Sequence, residues 1–252
     1  MPGTAGGGCG YLEIMGEDEP LDWAGVLEPS MMSEAVVAAR HRLADAAKAG
    51  DWRAVLDLLE GGGEGFGLKD RPLTANLWRP GSPKWFTPLH QAAWHGAPLS
   101  VVSALIERGA LRSLRDAKGR TARDVAVERK RPDDLIALLT PRRSSLGEQR
   151  AALFDRYLAE VIDGRVREFG LDREYPDRDP RKVLRYPPVG VLHEAPGQSM
   201  WFAIPGMYGG FHVTLRQGYL ETLSWCRVAG GSAQAHVITH QGVVLTDEEF
   251  DL

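Results

Sequence analysis

Thr87-Pro88-Leu89-His90-Gln91-Ala92-Ala93-Trp94-His95-Gly96 is a complete helix in outline. The stretch leads to Gly96, and glycine stops a helix. Leu89, Ala92 and Ala93 recur before it at helical spacing. Val101, Val102, Leu105 and Ile106 predict a second helix, closed by Gly109-Ala110. The order returns after 34 residues, from Thr87 to Thr121. There Gly119-Arg120-Thr121-Ala122-Arg123-Asp124-Val125-Ala126 leads to Leu135, Ile136, Leu138 and Leu139. It is also present upstream. Val36, Val37, Leu43, Ala46 and Ala47 lead to Gly50, then Val55, Leu58 and Leu59 lead to Gly61-Gly62-Gly63. Ala47 and Ala93 are 46 residues apart, which is one repeat of about 33 plus an insertion of about 13 between Gly63 and Trp85. The chain therefore contains an internal repeat of helix-turn-helix units.

These residues resemble the ankyrin-repeat family over 36–141. The match is strong in Phe86 to Asp116, where T-P-L-H-x-A-A-x-x-G and a later R-G-A both stand. It is partial in 118–140, where Ala122 and Asp124 replace the Pro and His, and weak in 41–63. The resemblance implies about three repeats stacked as an all-α solenoid, near the lower limit for stability and in need of caps. It assigns structural roles to the motif: Thr and His brace the turn, Pro starts the first helix, and the Ala pairs let neighbouring helices approach. In the family, partners bind the concave side. The positions that map there are Trp85, Gln91, Trp94, His95, Arg115, Lys118, Arg120, Arg123 and Val127, with Trp78 and Arg79 of the insertion beside them. Trp and Arg are frequent interface anchors. The implied partner is another polypeptide, and the implied role is non-enzymatic, as in bacterial adaptors or neutralising partners of toxins and defence proteins.

The flanks read differently. Residues 1–35 form an acidic arm with seven carboxylates and no Lys or Arg, and with Tyr11, Leu12, Ile14, Met15, Leu21 and Trp23 among them. No 2 or 3.6 period holds there, so the arm is expected to be extended and to order on contact. It can add a strand to a sheet edge or lie in the groove of the repeats. Residues 142–182 read as an amphipathic helix and a charged linker. Ser145-x-x-Glu148 is a capping box, Leu146, Leu153, Tyr157, Leu158, Val161, Ile162, Val166 and Phe169 make one face, and Asp172 to Lys182 is the linker. Residues 183–252 read as an antiparallel β domain of about five strands, with the 146–169 helix packed on it. Val189 to Leu192 and Met200 to Ile204 are short apolar runs; Phe211, Val213 and Leu215 alternate; hairpins turn at Gln217-Gly218 and Gln241-Gly242. The overall expectation is a multi-part chain, an all-α solenoid followed by a small α+β domain. The segment from Trp201 to Thr239 also resembles one that recurs in uncharacterised bacterial proteins, which implies no activity.

Composition narrows the classes. The chain has 252 residues, formal charge −4 and 43 % apolar residues, which suits a globular protein. No run of about 18 apolar residues is present, so no membrane partner is expected. The first ten residues lack the basic start and apolar core of a secretory signal. Cys9 and Cys226 are the two cysteines, too few for a disulfide framework, and a cytoplasmic setting is expected. Arg outnumbers Lys 24 to 6, a bias of GC-rich bacterial coding. Residues 36–141 carry a net charge of +5, too dilute to predict nucleic-acid binding.

The remaining chemistry is sparse. His193, His212, His236 and His240 fall in the sheet region. His236 and His240 share a strand face about 13 Å apart, at roughly 3.3 Å per residue, which is too far for one metal. No metal and no cofactor are expected. Cys226 is a candidate nucleophile only where His212 or His236 stands beside it. Gly206 to Gly210 and Gly230 to Ser232, with Trp201, Tyr208, Trp225 and Arg227, offer a small-ligand or peptide surface. The alternative function is thus an enzymatic or ligand-binding C-terminal domain delivered by the repeats, with the arm as a tethered peptide substrate. Catalysis requires two of Cys226, His212 and His236 within about 4 Å. An edge strand near the C-terminus also offers pairing with a second copy, opposed by Asp247-Glu248-Glu249.

Overall fold

The computed structural model describes residues 19–61, 73–226 and 232–248. The repeats appear as three pairs of short helices: α1 (Glu34–Ala49) with α2 (Trp52–Glu60), α3 (Pro88–His95) with α4 (Leu99–Glu107), and α5 (Ala122–Glu128) with α6 (Asp133–Leu138). Contacts run α1 to α3 to α5 in one row and α2 to α4 to α6 in the other. Ala39, Ala47, Ala92, Ala93, Ala122 and Ala126 are buried between them, with Leu43, Val55, Leu89, Val102 and Leu105. Small side chains allow the close approach that such helices need, because five of the six have nine residues or fewer and each buries little apolar surface alone.

Caps set the helix lengths. Ser33, Asp51 and Thr121 accept backbone N–H groups at the starts of α1, α2 and α5. Gly50 and Gly96 end α1 and α3 at φ 75° and 69°, where other residues are strained. The carbonyls left at these ends are met by the next pair. His95 Nε2 donates to Lys48 O at 2.9 Å, and Arg131 donates through Nε to Ala93 O at 3.3 Å and through Nη2 to Trp94 O. His90 works across pairs as well. Its Nε2 donates to Arg120 O at 3.2 Å, and its Nδ1 accepts from Thr87 Oγ1 at 2.9 Å. Full burial lowers its pKa to about 4, so the ring is neutral and the two bonds fix its tautomer.

The second unit is built on a six-stranded sheet in the order β1 (Leu21–Asp22), β2 (Ser199–Ile204), β3 (Gly209–Leu215), β4 (Leu220–Cys226), β5 (Ser232–Thr239), β6 (Gly242–Glu248). β1 is parallel to β2, and the other neighbours are antiparallel. The sheet is therefore mixed, where an antiparallel one was expected, and the protein is α+β. The long helix α7 (Glu148–Glu168) lies on one face. Phe154, Leu158, Ile162 and Val166 of α7 pack with Phe202, Phe211, Val213, Leu220 and Ile238.

Three expectations change. The first apolar run of the β domain, Val189 to Leu192, is a 3-10 helix (Val189–Glu194). It follows Pro187-Pro188, which supply no ladder donors, and Asp155 Oδ1 takes the Val189 N–H at 2.7 Å. Its place in the sheet is filled by the arm, whose Leu21–Asp22 pairs with Met200 and Trp201. The capping box does not form: α7 starts after Gly147, at φ 71°, and Ser144 takes the Leu146 N–H. The linker at 172–182 is packed. Tyr175 is buried with its hydroxyl on Pro205 O at 3.1 Å, and Asp179 caps α8 (Pro180–Val183). Burial beside Glu174 and Asp172 pushes the Tyr175 phenol well up.

Candidate functional site

The arm and the insertion meet the C-terminal unit at one guanidinium. Arg185 lies 5.3 Å from the Trp23 ring, 4.7 Å from Trp78 and 4.7 Å from Trp85. Its Nη2 donates to Arg115 O at 2.6 Å, and the Trp23 indole N–H donates to Arg185 O at 2.8 Å. Burial lowers its pKa to about 10, so it stays charged at neutral pH and the indole faces provide the compensating attraction. Trp85 reaches it from a left-handed backbone, φ 54°. This corrects the placement of Trp78, which was expected beside the concave face. It is 3 % exposed, against Trp23, in the same core as α7 and the sheet. Trp85 is half-buried at this junction.

The row α1, α3, α5 presents one tryptophan, Trp94, to solvent. Trp94 is 39 % exposed, and Val127 on α5 is 47 % exposed. Phe86 meets Trp94 edge-on at 6.4 Å, and the Arg129 guanidinium sits 4.3 Å from the Trp94 ring. Arg120 lies 5.7 Å from the Phe86 ring. It is held by Asp116 through Nε at 3.0 Å and Nη2 at 2.8 Å, and by Glu128 through Nη1 at 2.5 Å. Asp116 is nearly buried. Burial opposes its charge, but the Arg120 side chain and the N–H groups of Arg120 and Lys118 outweigh it and keep the carboxyl below its usual range. These bonds make a rigid turn that carries Phe86 and Arg120 as a backing for Trp94. Gln91 is half-buried on α3, and Arg123 lies four residues before Val127 on α5.

The other sequence candidates on the repeats have structural partners. Arg79 bonds His41 at 2.9 Å and Asp45. His95 is a helix cap and meets Trp52 edge-on. Arg115 donates to Gly119 O at 2.8 Å and Glu148 at 2.9 Å. Lys118 is exposed at the tip of the turn. Phe86 and Arg129 were not singled out in the sequence. Arg129 follows the last residue of α5, and only the stacking of α3 against α5 puts it over Trp94.

The sheet separates the three candidate catalytic groups. Cys226 is buried, and its thiol donates to Met207 O at 3.0 Å. His212 pairs with Trp201 and Leu223, on the face opposite the Phe211–Ser224 pair and α7. His236 is on the α7 face, but Cys226 pairs with Ser232, four residues away, which is about 13 Å along the strand. Burial, with Arg216 for His212 and Arg165 for His236, lowers both imidazole pKa values. No nucleophile–base pair is therefore assembled from these groups. Trp201 stacks on Trp225 at 4.5 Å, and Tyr208 on the β2–β3 turn is 75 % exposed. Trp225 itself is 7 % exposed. Arg227, most of Gly230 to Ser232, and Cys9 lie outside the described residues.

A shallow groove of about 380 Å³ runs between α7 and β5, lined by Glu160, Gly164, Arg165, Glu168, Gln234 and His236. The Arg165 guanidinium there is taken up by Ser224, Ser232 and Glu168. Among the described residues no group of His, Cys, Asp and Glu could hold a metal ion, and no helix is long and apolar enough to cross a membrane. Comparison with family models, curated proteins and solved structures finds no match.

Proposed function

We propose that residues 36–141 form a short ankyrin-type solenoid and that its inner-helix row binds another polypeptide without chemistry, as an adaptor or as a partner that neutralises its target by occupying it. The observation that carries this reading is the Trp94 face. A large aromatic ring stands 39 % exposed, backed by Phe86 and Arg129, and Val127 on the packed neighbour α5 is exposed as well. Trp and Arg on a rigid support are the residues that carry most interface energy, because they bury large areas at little conformational cost. The remaining described indoles of the repeats and arm are engaged at Arg185 or, for Trp52, beside His95.

The test is a peptide-display selection on the purified full chain. Trp94→Ala is expected to weaken the selected ligands by at least about tenfold, the loss of one hot-spot residue, without lowering the melting temperature. Ligands that ignore Trp94→Ala but are lost in Trp201→Ala would move the site to the sheet and overturn the reading.

A further inference from the structure

We propose that the occupant of the Trp94 face in the resting protein is the chain's own segment Tyr11-Leu12-Glu13-Ile14-Met15-Gly16-Glu17-Asp18, so that a partner binds by displacing it. This rests on the inner-helix row being a polypeptide-binding surface. Three observations lead to it.

The first is charge. Between Arg112 and Arg131 the chain carries eight Lys or Arg and three carboxylates; Arg112 and Arg115 pair with Glu194 and Glu148, which leaves six cations against those three carboxylates. All three carboxylates are already engaged: Asp116 and Glu128 by Arg120, and Asp124 by the Thr121 N–H and hydroxyl. The turn and helix beside Trp94 therefore present excess positive charge around an apolar centre. The segment 11–18 has the matching composition, with three carboxylates, no cation, and Tyr11, Leu12, Ile14 and Met15.

The second is where the arm is tied. Leu21–Asp22 pairs with β2, and Trp23 is locked against Trp78 and Arg185. The same guanidinium lies on Trp85. Trp85 immediately precedes Phe86, which touches Trp94. The segment is thus tethered at the rim of the face it complements.

The third is length. Tyr11 lies ten positions before Leu21, enough for about 35 Å of extended chain. Tethering at this range gives an effective concentration on the order of 1 mM. A segment that binds in trans with a dissociation constant of about 0.1 mM would fill the face in cis and weaken a competing partner about tenfold.

The experiment uses the full chain and the Trp94 indole N–H resonance, assigned by its loss in Trp94→Phe. The Ile14→Asp/Met15→Asp variant is expected to shift that resonance and leave those of Trp23 and Trp78 in place. Raising the salt to about 0.5 M is expected to move the unmodified chain the same way, because exposed ion pairs are screened. A synthetic peptide of residues 9–20, added to the variant, is expected to restore the original position and to bind the unmodified chain about tenfold more weakly. A Trp94 resonance indifferent to the variant and to the peptide would overturn the proposal. So would a shift at Trp201 instead, which would place the segment along the sheet. If the arm variant moves nothing while displayed ligands still require Trp94, the arm proposal alone fails. If displayed ligands ignore Trp94 as well, the polypeptide-binding reading fails with it.

Discussion

The helix pairs and the sheet unit solve the same burial problem with different materials. The stack of α1 to α6 is filled by alanines and leucines from neighbouring repeats, and the same caps recur at similar positions. The sheet unit is filled by Phe154, Phe202, Phe211, Ile162 and Met200. It draws in Trp23 from the arm, Trp78 from the insertion and Leu111 and Leu114 from a repeat tip. Repetition lets a fold be assembled from contacts about one repeat apart. The sheet has no such period, and its core is complete only when segments from residue 23 to residue 238 have met. Arg185 in its three indoles is where the two solutions join.

The strongest way to break this contrast is to damage each core separately. Phe154→Ala in the sheet unit is expected to cost about 3–5 kcal/mol, and Leu105→Ala in the stack about 2–5 kcal/mol; both side chains are fully buried. Amide hydrogen exchange should show Phe154→Ala lowering protection in β2 to β5 more than in α1 to α4, and Leu105→Ala doing the reverse. Equal losses in both regions from either substitution would mean that the Arg185 junction fuses them into one cooperative unit.

Acid sharpens the contrast, because the two regions respond with opposite signs. His90 in the stack has a folded pKa of about 4, below the usual value near 6.5. Its contribution is complete above pH 6.5 and is lost as pH falls towards 4, by up to about 3 kcal/mol. Asp155 on α7 is raised to about 6, mainly by burial, against the Val189 N–H that favours its charge. Its folded form binds protons more readily than its unfolded form, so stability of the sheet unit rises from this group as pH falls from 6 towards 4. Exchange measured at pH 6.5 and 4.5, corrected for intrinsic rates, should show α3 and α5 losing protection relative to α7.

The smallest effect separates two glycines. Gly164 lies inside α7, and a Cβ there meets nothing within 4 Å, so Gly164→Ala should stabilise the sheet unit by about 0.5–1 kcal/mol. Gly96 caps α3 at φ +69° with Arg131 at 3.1 Å from the added Cβ, so Gly96→Ala should destabilise the stack by about 1–2 kcal/mol. Urea unfolding of both variants checks the signs.

The repeat helices were legible because their signals are local. Leu89, Ala92 and Ala93 recur at helical spacing and Gly96 stops the run, while the roles of Thr87 and Pro88 came with the ankyrin resemblance. β2 to β6 were legible from alternation and from turns at Gln217-Gly218 and Gln241-Gly242. β1 was not, because a two-residue strand has no period, and its pairing is decided by Trp23 finding Trp78 and Arg185. The run Val189 to Leu192 misled because buried strands and buried 3-10 turns share the same apolar composition. At the candidate site Trp94, Gln91 and Arg123 followed from mapping the repeats onto the concave face that the ankyrin resemblance implies. Phe86 and Arg129 did not, because their relation to Trp94 crosses from one helix to the next.

The sequence by itself determined the helix pairs, their caps, the later hairpins and the acidity of the arm, since each depends on residues within a few positions of one another or on composition. Only the tertiary structure decided that the arm supplies an edge strand, that Trp78 is core and Trp94 is surface, and that Cys226, His212 and His236 stand apart. Those outcomes depend on which distant surfaces bury one another, and burial is a property of the assembled chain.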